Sequence, residues 1–316
     1  MDVSIVIPTY NGASRLPLVL EKLQSQTGIE SIAGEILVID NNSTDNTAEI
    51  TRSFQENWHC SFPLRYYFEP RPGVAFARQR GVREASGDSI AFLDDDNLPI
   101  ANWISAVHSF GKSHPKAGAY GGRIIGDLEI DPPENFEKIA QFLAIRDHGS
   151  QPRLFEPERL RLPPSAGLVV RRSAWLDSVP PECALTGPRG AALMRGEDYE
   201  ILLYLHKRGW EIWYNPEMTI HHAIPRQRLT RDYLLPLARK TGLVTCHLRV
   251  ILASDREKPS ILLRTLFGNF KRIIFHFLKY RQHFYRDVTI AFEFEFFWGG
   301  FLSPLYYLQQ ISKIKS

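Results

Sequence analysis

Three carboxylates stand side by side at Asp94-Asp95-Asp96, followed by Asn97. Adjacent carboxylates repel one another, whereas a structural turn needs only one Asp or Asn. A hard divalent cation relieves the repulsion, and oxygen donors suit Mg²⁺ or Mn²⁺. Such a cation would hold a diphosphate and neutralise its charge as it leaves. Alternation along an extended chain turns Asp94 and Asp96 to the same side. A solvated acidic turn is the competing reading. A second acidic pair, Glu197-Asp198, opens a helical stretch. The helix dipole favours acids there, so a simple cap is one reading. The other is a general base, because an acceptor hydroxyl cannot ionise at neutral pH without a positioned proton acceptor. A histidine pair, His221-His222, follows a strand-like Met218–Ile220.

Positioning these groups falls to an alternation of short β-rich runs and helical patterns. Val3–Ile7, Glu35–Asp40, Leu64–Phe68 and Ser89–Leu93 read as strands. Between the first two, Leu16, Val19, Leu20 and Leu23 recur on one helical face. A second helical stretch runs through Phe54, and a third covers Val74–Ala85 with Val74, Ala77, Gly81, Val82 and Ala85 inward. Such alternation predicts an α/β fold with a mostly parallel sheet flanked by helices. Further on, 102–113 reads as helix, Ala119–Ile124 as strand and 125–165 as a loop-rich insertion. Ala166–Val170, Tyr199–Arg208 and Glu211–Tyr214 read as strand, helix and strand. In open sheets, ligands bind beyond the carboxyl ends of the strands. Four strands end in polar clusters: Pro8-Thr9-Tyr10-Asn11, Asp40 to Asp45, Pro72-Gly73 with Arg78, and Asp94 to Asn97. Four on one rim describe a site.

The ordered motifs Val-Ile-Pro-Thr-Tyr-Asn, Val-Ile-Asp-Asn-Asn-Ser-Thr-Asp, Gly-x-x-x-Ala-Arg-x-x-Gly and Phe-Leu-Asp-Asp-Asp resemble the family 2 glycosyltransferases over about residues 1–225. The resemblance implies the GT-A (Rossmann-like) fold and transfer of a sugar from a nucleotide-diphosphate donor, a UDP-sugar, with inversion. It implies that Asp40 contacts the donor base and that Thr9 and Arg78 line the nucleotide, in a set completed by Pro8, Tyr10, Asp94 and Asp95. It implies metal binding by Asp96 with Asp94, joined by a late histidine best matched by His222, with His221 as its neighbour. Asp198 is the implied base and Glu197 a supporting or acceptor-orienting acid. Two positions depart from the pattern: Asn41 stands where a second acid is frequent, and Gln79 where Asn is usual. Both bear on base selectivity.

The expected organisation is a catalytic domain over 1–225, with a nucleotide half (about 1–100) and an acceptor half (about 101–225), then a helical extension over 226–316. Charge divides at the same place. Residues 1–225 carry 22 Lys and Arg against 29 Asp and Glu, while 226–316 carry 16 against 6. A basic extension can be a solvated face, a nucleic-acid surface or a membrane surface, and its Phe, Leu and Ile content points away from nucleic acid. Over 261–283 a helical wheel gathers Leu263, Leu266, Phe267, Phe270, Ile273, Ile274, Phe277 and Leu278 on one face, flanked by Arg264, Lys271, Arg272 and Lys279. This helix either lies in an anionic membrane interface or packs on the catalytic domain. Val288–Leu308 is apolar, but Glu293, Glu295 and Pro304 argue against a membrane span.

Three scattered cysteines, Cys60, Cys183 and Cys246, and no signal-like apolar run suit a reducing, cytoplasmic setting; the basic extension and the resemblance together imply a peripheral place on the inner face of the plasma membrane. The resemblance adds a lipid-linked saccharide acceptor in surface-polysaccharide synthesis. A processive synthase would need spanning helices and a Gln-x-x-Arg-Trp motif after the base. A sugar nucleotidyltransferase would need a basic Gly-rich loop after the first strand, where Pro-Thr-Tyr-Asn-Gly stands. A sugar-nucleotide-binding protein with a dead site fits poorly with intact acids. Trp175, Trp210 and Trp213 read as core, and Pro-rich 180–188 with Gly187 and Gly190 as either a mobile loop over the acceptor or an inert one.

Overall fold

The computed structural model describes residues 1–181, 183–185, 196–281 and 285–315. Two compact units emerge. The first takes Met1–Asp127, the described part of Ile145–Arg189, and Glu197–Ala223; the second takes Leu128–Ala144 and the described parts of Gly190–Gly196 and Ile224–Ser316.

The first unit is built on one mixed sheet. β1 (Val3–Thr9), β2 (Gly34–Asp40), β3 (Leu64–Phe68) and β4 (Ser89–Phe92) run parallel in the spatial order β3-β2-β1-β4. Every residue of β1, β2 and β4 is buried, as expected for strands covered on both faces. Pro8 is tolerated inside β1 because β4 pairs only with Val3–Val6. The peptide groups of Pro8 face the same way as those of Val6, past the end of that ladder, where no N–H is required. The covering helices are α1 (Leu16–Gln24), α2 (Thr47–Glu56) and α3 (Val74–Glu84). α1 buries the four residues its spacing marked, Leu16, Val19, Leu20 and Leu23. α3 buries Ala77, Gly81 and Val82, and Arg78 with them.

Beyond β4 the sheet turns antiparallel. The order continues β8 (Val169–Arg171), β6 (Ala117–Leu128), β9 (Glu211–Ile224) and β5 (Asn97–Pro99), with β7 (Arg153–Leu154) paired to β9. α4 (Trp103–Ser113), α5 (Arg172–Ser178) and α6 (Glu197–Lys207) complete the unit. Three departures from the sequence reading have physical causes. β9 is one strand where two pieces were expected, because the Asn215 side chain accepts the Glu217 N–H and carries the chain past Pro216. β8 begins three residues late, because 165–168 is a turn with Gly167 at φ 67° and the Leu168 N–H on the Ser165 carbonyl. β5, three residues long, carries no periodicity of its own.

The second unit is helical: α7 (Arg231–Leu243), α8 (Thr245–Ile251), α9 (Lys258–Tyr280) and α10 (Val288–Lys315). α10 packs on α7, α8 and α9. Its approach to α7 is close, since a side chain at Gly299 would sit 2.1 Å from the Arg239 carbonyl oxygen. Glu295 on α10, almost wholly buried, takes a two-pronged ion pair from Arg239, and Glu293 lies 3.8 Å from His276 on α9. The two acids that interrupt the apolar run are thus both met by protein groups. Among the described residues no helix is long and apolar enough to cross a membrane. Cys246 is buried here, its thiol pushed up to about 11 by desolvation, and the three cysteines are unbridged.

Candidate active site

The first two loops of the parallel rim are stitched together. Asn11, at φ 48°, donates its N–H to the Ser43 hydroxyl and accepts the Thr44 N–H on its side chain. Gly12 N–H donates to the Thr47 hydroxyl, and Ala13 N–H to Asp45. Below this seam, the Thr9 hydroxyl donates to Asp95 at 2.6 Å, and Arg15 grips the same carboxylate with two N–H groups at 2.9 and 3.0 Å. A Cβ at Gly12 would lie 2.1 Å from the Thr9 hydroxyl oxygen and 2.7 Å from Asp95, so only glycine leaves room. The hydrogen bond that Arg15 donates to Asp95 raises the Arg15 pKa and outweighs burial, which lowers it. Thr9 and Asp95, both expected at the nucleotide, therefore spend their polar atoms binding the first loop to the acidic run. Tyr10 stands out on the rim, 58% exposed, and Pro8 is buried in β1.

Asp40 is buried at the end of β2, where one oxygen accepts the Tyr66 hydroxyl at 2.7 Å and the other the Ser43 N–H at 2.9 Å. Burial, then the hydrogen bond to Asp40, raises the Tyr66 pKa well above the usual phenol value. The neighbouring Asn41 clamps the next loop. Its amide donates to the carbonyls of Arg71 (2.7 Å) and Glu69 (3.3 Å), and its oxygen accepts the Gly73 N–H (2.8 Å). Gly73 leads into α3 at φ 131°, a backbone that side-chain-bearing residues rarely adopt. Arg71 pairs with Glu69 and lies over the Phe76 ring; Arg83 reaches the same acid and Arg80 pairs with Glu84.

α3 delivers Arg78, 4% exposed, to the centre of the acids. One guanidinium nitrogen lies 3.3 Å from Asp94 and another 3.5 Å from Glu197. Burial alone would depress the Arg78 pKa, but the charges of Asp94, Glu197 and Asp198 outweigh it and the value rises. Asp94 shows the reverse balance: burial leads and raises its pKa, with Asp96 and Asp95 adding to it, while Arg78 and His222 oppose. Next to Glu197, Asp198 accepts the Ser165 N–H at 2.9 Å, which fixes its carboxylate. The 165–168 turn that shortens β8 is what presents this N–H.

β5 and β9 decide the histidines. Asn97 pairs with His222 and Leu98 with His221, and the Ala223 N–H bonds the Asp96 carbonyl. His222 is thereby buried beside Asp96, Nε2 to Oδ2 3.6 Å, while alternation sends His221 to Asp127 at 3.0 Å. The donor set fits a divalent cation. Asp96 and His222 converge, and Asp94 is a half-buried carboxylate that Arg78 meets at 3.3 Å. No three His, Cys, Asp or Glu side chains among the described residues stand close enough to hold an ion by themselves. The remaining ligands would be phosphate oxygens and water, which is how Mg²⁺ is usually held.

The glycosyl transferase family 2 sequence model matches residues 4–174, the stretch that carries these loops and the acidic run. The chain belongs to this family. It is 38% identical over 103 residues to Glycosyltransferase AglE of Haloferax volcanii, a match spanning 32% of this chain and 33% of that protein. Against the glucosyl-dolichyl phosphate glucuronosyltransferase of the same organism it is 22% identical over 245 residues, 74% of this chain and 73% of that one. Among solved structures, GalNAc-T7 with UDP, GalNAc and Mn²⁺ aligns with a TM-score of 0.56 at 16% identity, over 82% of this chain and 51% of that one. At that identity the likeness is one of fold. The α/β, GT-A-type architecture is as the sequence predicts.

Two clusters thus form on the family rim: Asp40 with Tyr66 and Ser43, and Asp94, Arg78, Glu197, Asp96 and His222 around one centre. Sequence reasoning missed Arg15, Tyr66 and Ser165. Tyr66 was findable, since it sits opposite Val38, two residues before Asp40 and so on the same face of the sheet. Arg15 and Ser165 act through loop geometry and left no pattern. Trp175 packs on Phe92 in the core, whereas Trp213, near Phe110 and His114, is half-buried, as is Trp210. Of the proline-rich 180–188 stretch, residues 182 and 186–188, with Gly187, lie outside the described residues, as does Gly190.

Proposed function

We propose that the chain is an inverting, non-processive glycosyltransferase that moves one sugar from a nucleotide-diphosphate donor, a UDP-sugar, to a hydroxyl of a lipid-linked saccharide in cell-surface polysaccharide synthesis. The observation that carries this reading is the Arg78 bridge from Asp94 to Glu197, which joins the acidic run on the donor side to the acid pair Glu197-Asp198. The names of the compared proteins support its parts: one acts on a dolichyl phosphate-linked sugar, another was solved with UDP and Mn²⁺.

In this reaction the acceptor oxygen attacks the anomeric carbon as the bond from that carbon to the diphosphate breaks on the opposite side, which inverts the centre. Asp198 takes the hydroxyl proton; the Ser165 N–H holds its carboxylate in place. Glu197, held by Arg78, supports the acceptor side, and Arg78 offers fixed positive charge where negative charge develops. Pro8, Tyr10 and Asp40 border the nucleotide, and Thr9 and Asp95 hold the first loop in place. A Mg²⁺ or Mn²⁺ ion at Asp96, Asp94 and His222 would supply charge neutralisation for the departing diphosphate. The enzyme works at the inner face of the plasma membrane, where lipid-linked acceptors and cytoplasmic donors meet.

Asp198→Asn tests the central assignment. Transfer should fall by about 10²–10⁴, with donor affinity by calorimetry near that of the unaltered chain. Collapse of donor affinity would place Asp198 in the nucleotide site and move the base elsewhere.

A further inference from the structure

α9 is inside out. Its buried residues are polar, Thr265, Asn269 and His276, which fall on one stripe of the helix. Its outward side carries Leu263, Phe267, Phe270, Ile274, Phe275, Phe277 and Leu278, each between 42% and 64% exposed. At about 100° per residue, the centre of this apolar arc lies roughly opposite the buried stripe. The polar stripe is committed inward. The Asn269 amide donates to the Thr265 carbonyl and lies against Gly300 of α10, where a Cβ would come within 2.8 Å of it. His276 packs near Phe297 and Phe294 and faces Glu293. Rolling α9 to bury its apolar side would expel these groups.

We propose that the outward face of α9 is a membrane-interface surface that seats in an anionic bilayer, with its apolar arc among the upper acyl chains. This rests on the peripheral placement given above and assigns it to specific side chains. Charge selects the occupant. α9 carries Lys258, Arg264, Lys271, Arg272 and Lys279 and no acidic residue. Arg264 and Lys271 border the apolar arc, where they would meet lipid phosphates. A second copy of the chain docked on the same face would set these cations against their own equivalents, which disfavours it. The aromatic surface continues onto α10: Phe270 lies 6.0 Å from Phe301, and Phe301 5.7 Å from Trp298, which is 36% exposed. Trp at the border of an apolar surface is the arrangement membrane interfaces favour.

Co-sedimentation of the full-length protein with vesicles tests this. Binding should be strong to phosphatidylglycerol–phosphatidylcholine vesicles, and the triple change Phe267→Gln, Ile274→Gln, Leu278→Gln should weaken it by tenfold or more. Because all three side chains are exposed, the melting temperature should hold or rise. Arg264→Glu with Lys271→Glu should cost about fivefold or more per residue, on anionic vesicles only. Unchanged vesicle binding by the triple variant overturns the proposal. So does a chain that is dimeric by light scattering and becomes monomeric on the triple change without binding vesicles at all. Hydrolysis of a soluble UDP-sugar by the same variants reads the transfer site separately: it should be unaltered, and its absence in every variant would count against the enzymatic reading, leaving the membrane face standing.

Discussion

At position 41 the side chain faces two carbonyl oxygens and one N–H, those of Glu69, Arg71 and Gly73. Only an amide can give twice and accept once, so the departure from an acidic family pattern has a local cause. Asn41→Asp should therefore destabilise the fold by about 1–3 kcal/mol, read by chemical denaturation, and should loosen the loop that launches α3 and Arg78. An unchanged midpoint would mean that this clamp contributes nothing. The same accounting applies to Asp95. With Thr9 on one oxygen and Arg15 on both, it holds the first loop to the acidic run and leaves Asp94 and Asp96 as the acids turned to Arg78 and His222. Types and spacing could announce three acids; they could not announce which one is taken by an arginine 80 positions earlier.

The β5–β9 ladder is the element that sorts the histidines. Since pairing alternates strictly, His222 meets Asp96 and His221 turns to Asp127, and a one-residue slip would exchange them. His222→Ala should lower Mn²⁺-dependent donor affinity by about 10- to 100-fold by calorimetry, while His221→Ala should leave it alone. Equal losses, or none, would remove His222 from the proposed metal set. The parallel half of the sheet was legible because its strands are short apolar runs that end in polar clusters, and α1 because its apolar spacing is undiluted. The antiparallel half was less so. β5 is too short to show a period, Pro216 disguises a strand that Asn215 carries through, and the turn at 165–168 exists to offer one N–H to Asp198. α9 was legible as amphipathic, but a helical wheel cannot say which side faces the protein; Asn269 against Gly300 does.

Across the whole molecule, the sheet unit holds every proposed catalytic residue, while the excess positive charge lies in residues 226–316, with 16 Lys and Arg against 6 Asp and Glu. The helices of the second unit meet through small residues such as Gly299 and through the deep ion pair of Arg239 with Glu295. Arg239→Met should leave Glu295 buried without its partner and cost about 1–3 kcal/mol, below the full figure for a buried pair because Arg239 is half exposed. Thermal unfolding followed in the helical signal checks this; no shift would mean that Glu295 is solvated or satisfied otherwise. The pairing of Asn97 with His222 also has a consequence in time. On a ribosome adding about 5–20 residues per second, the acidic run is made on the order of 10 s before the strand that brings its histidine. Throughout that interval, the nascent chain carries three neighbouring negative charges with β5 unpaired, so this corner of the sheet closes last.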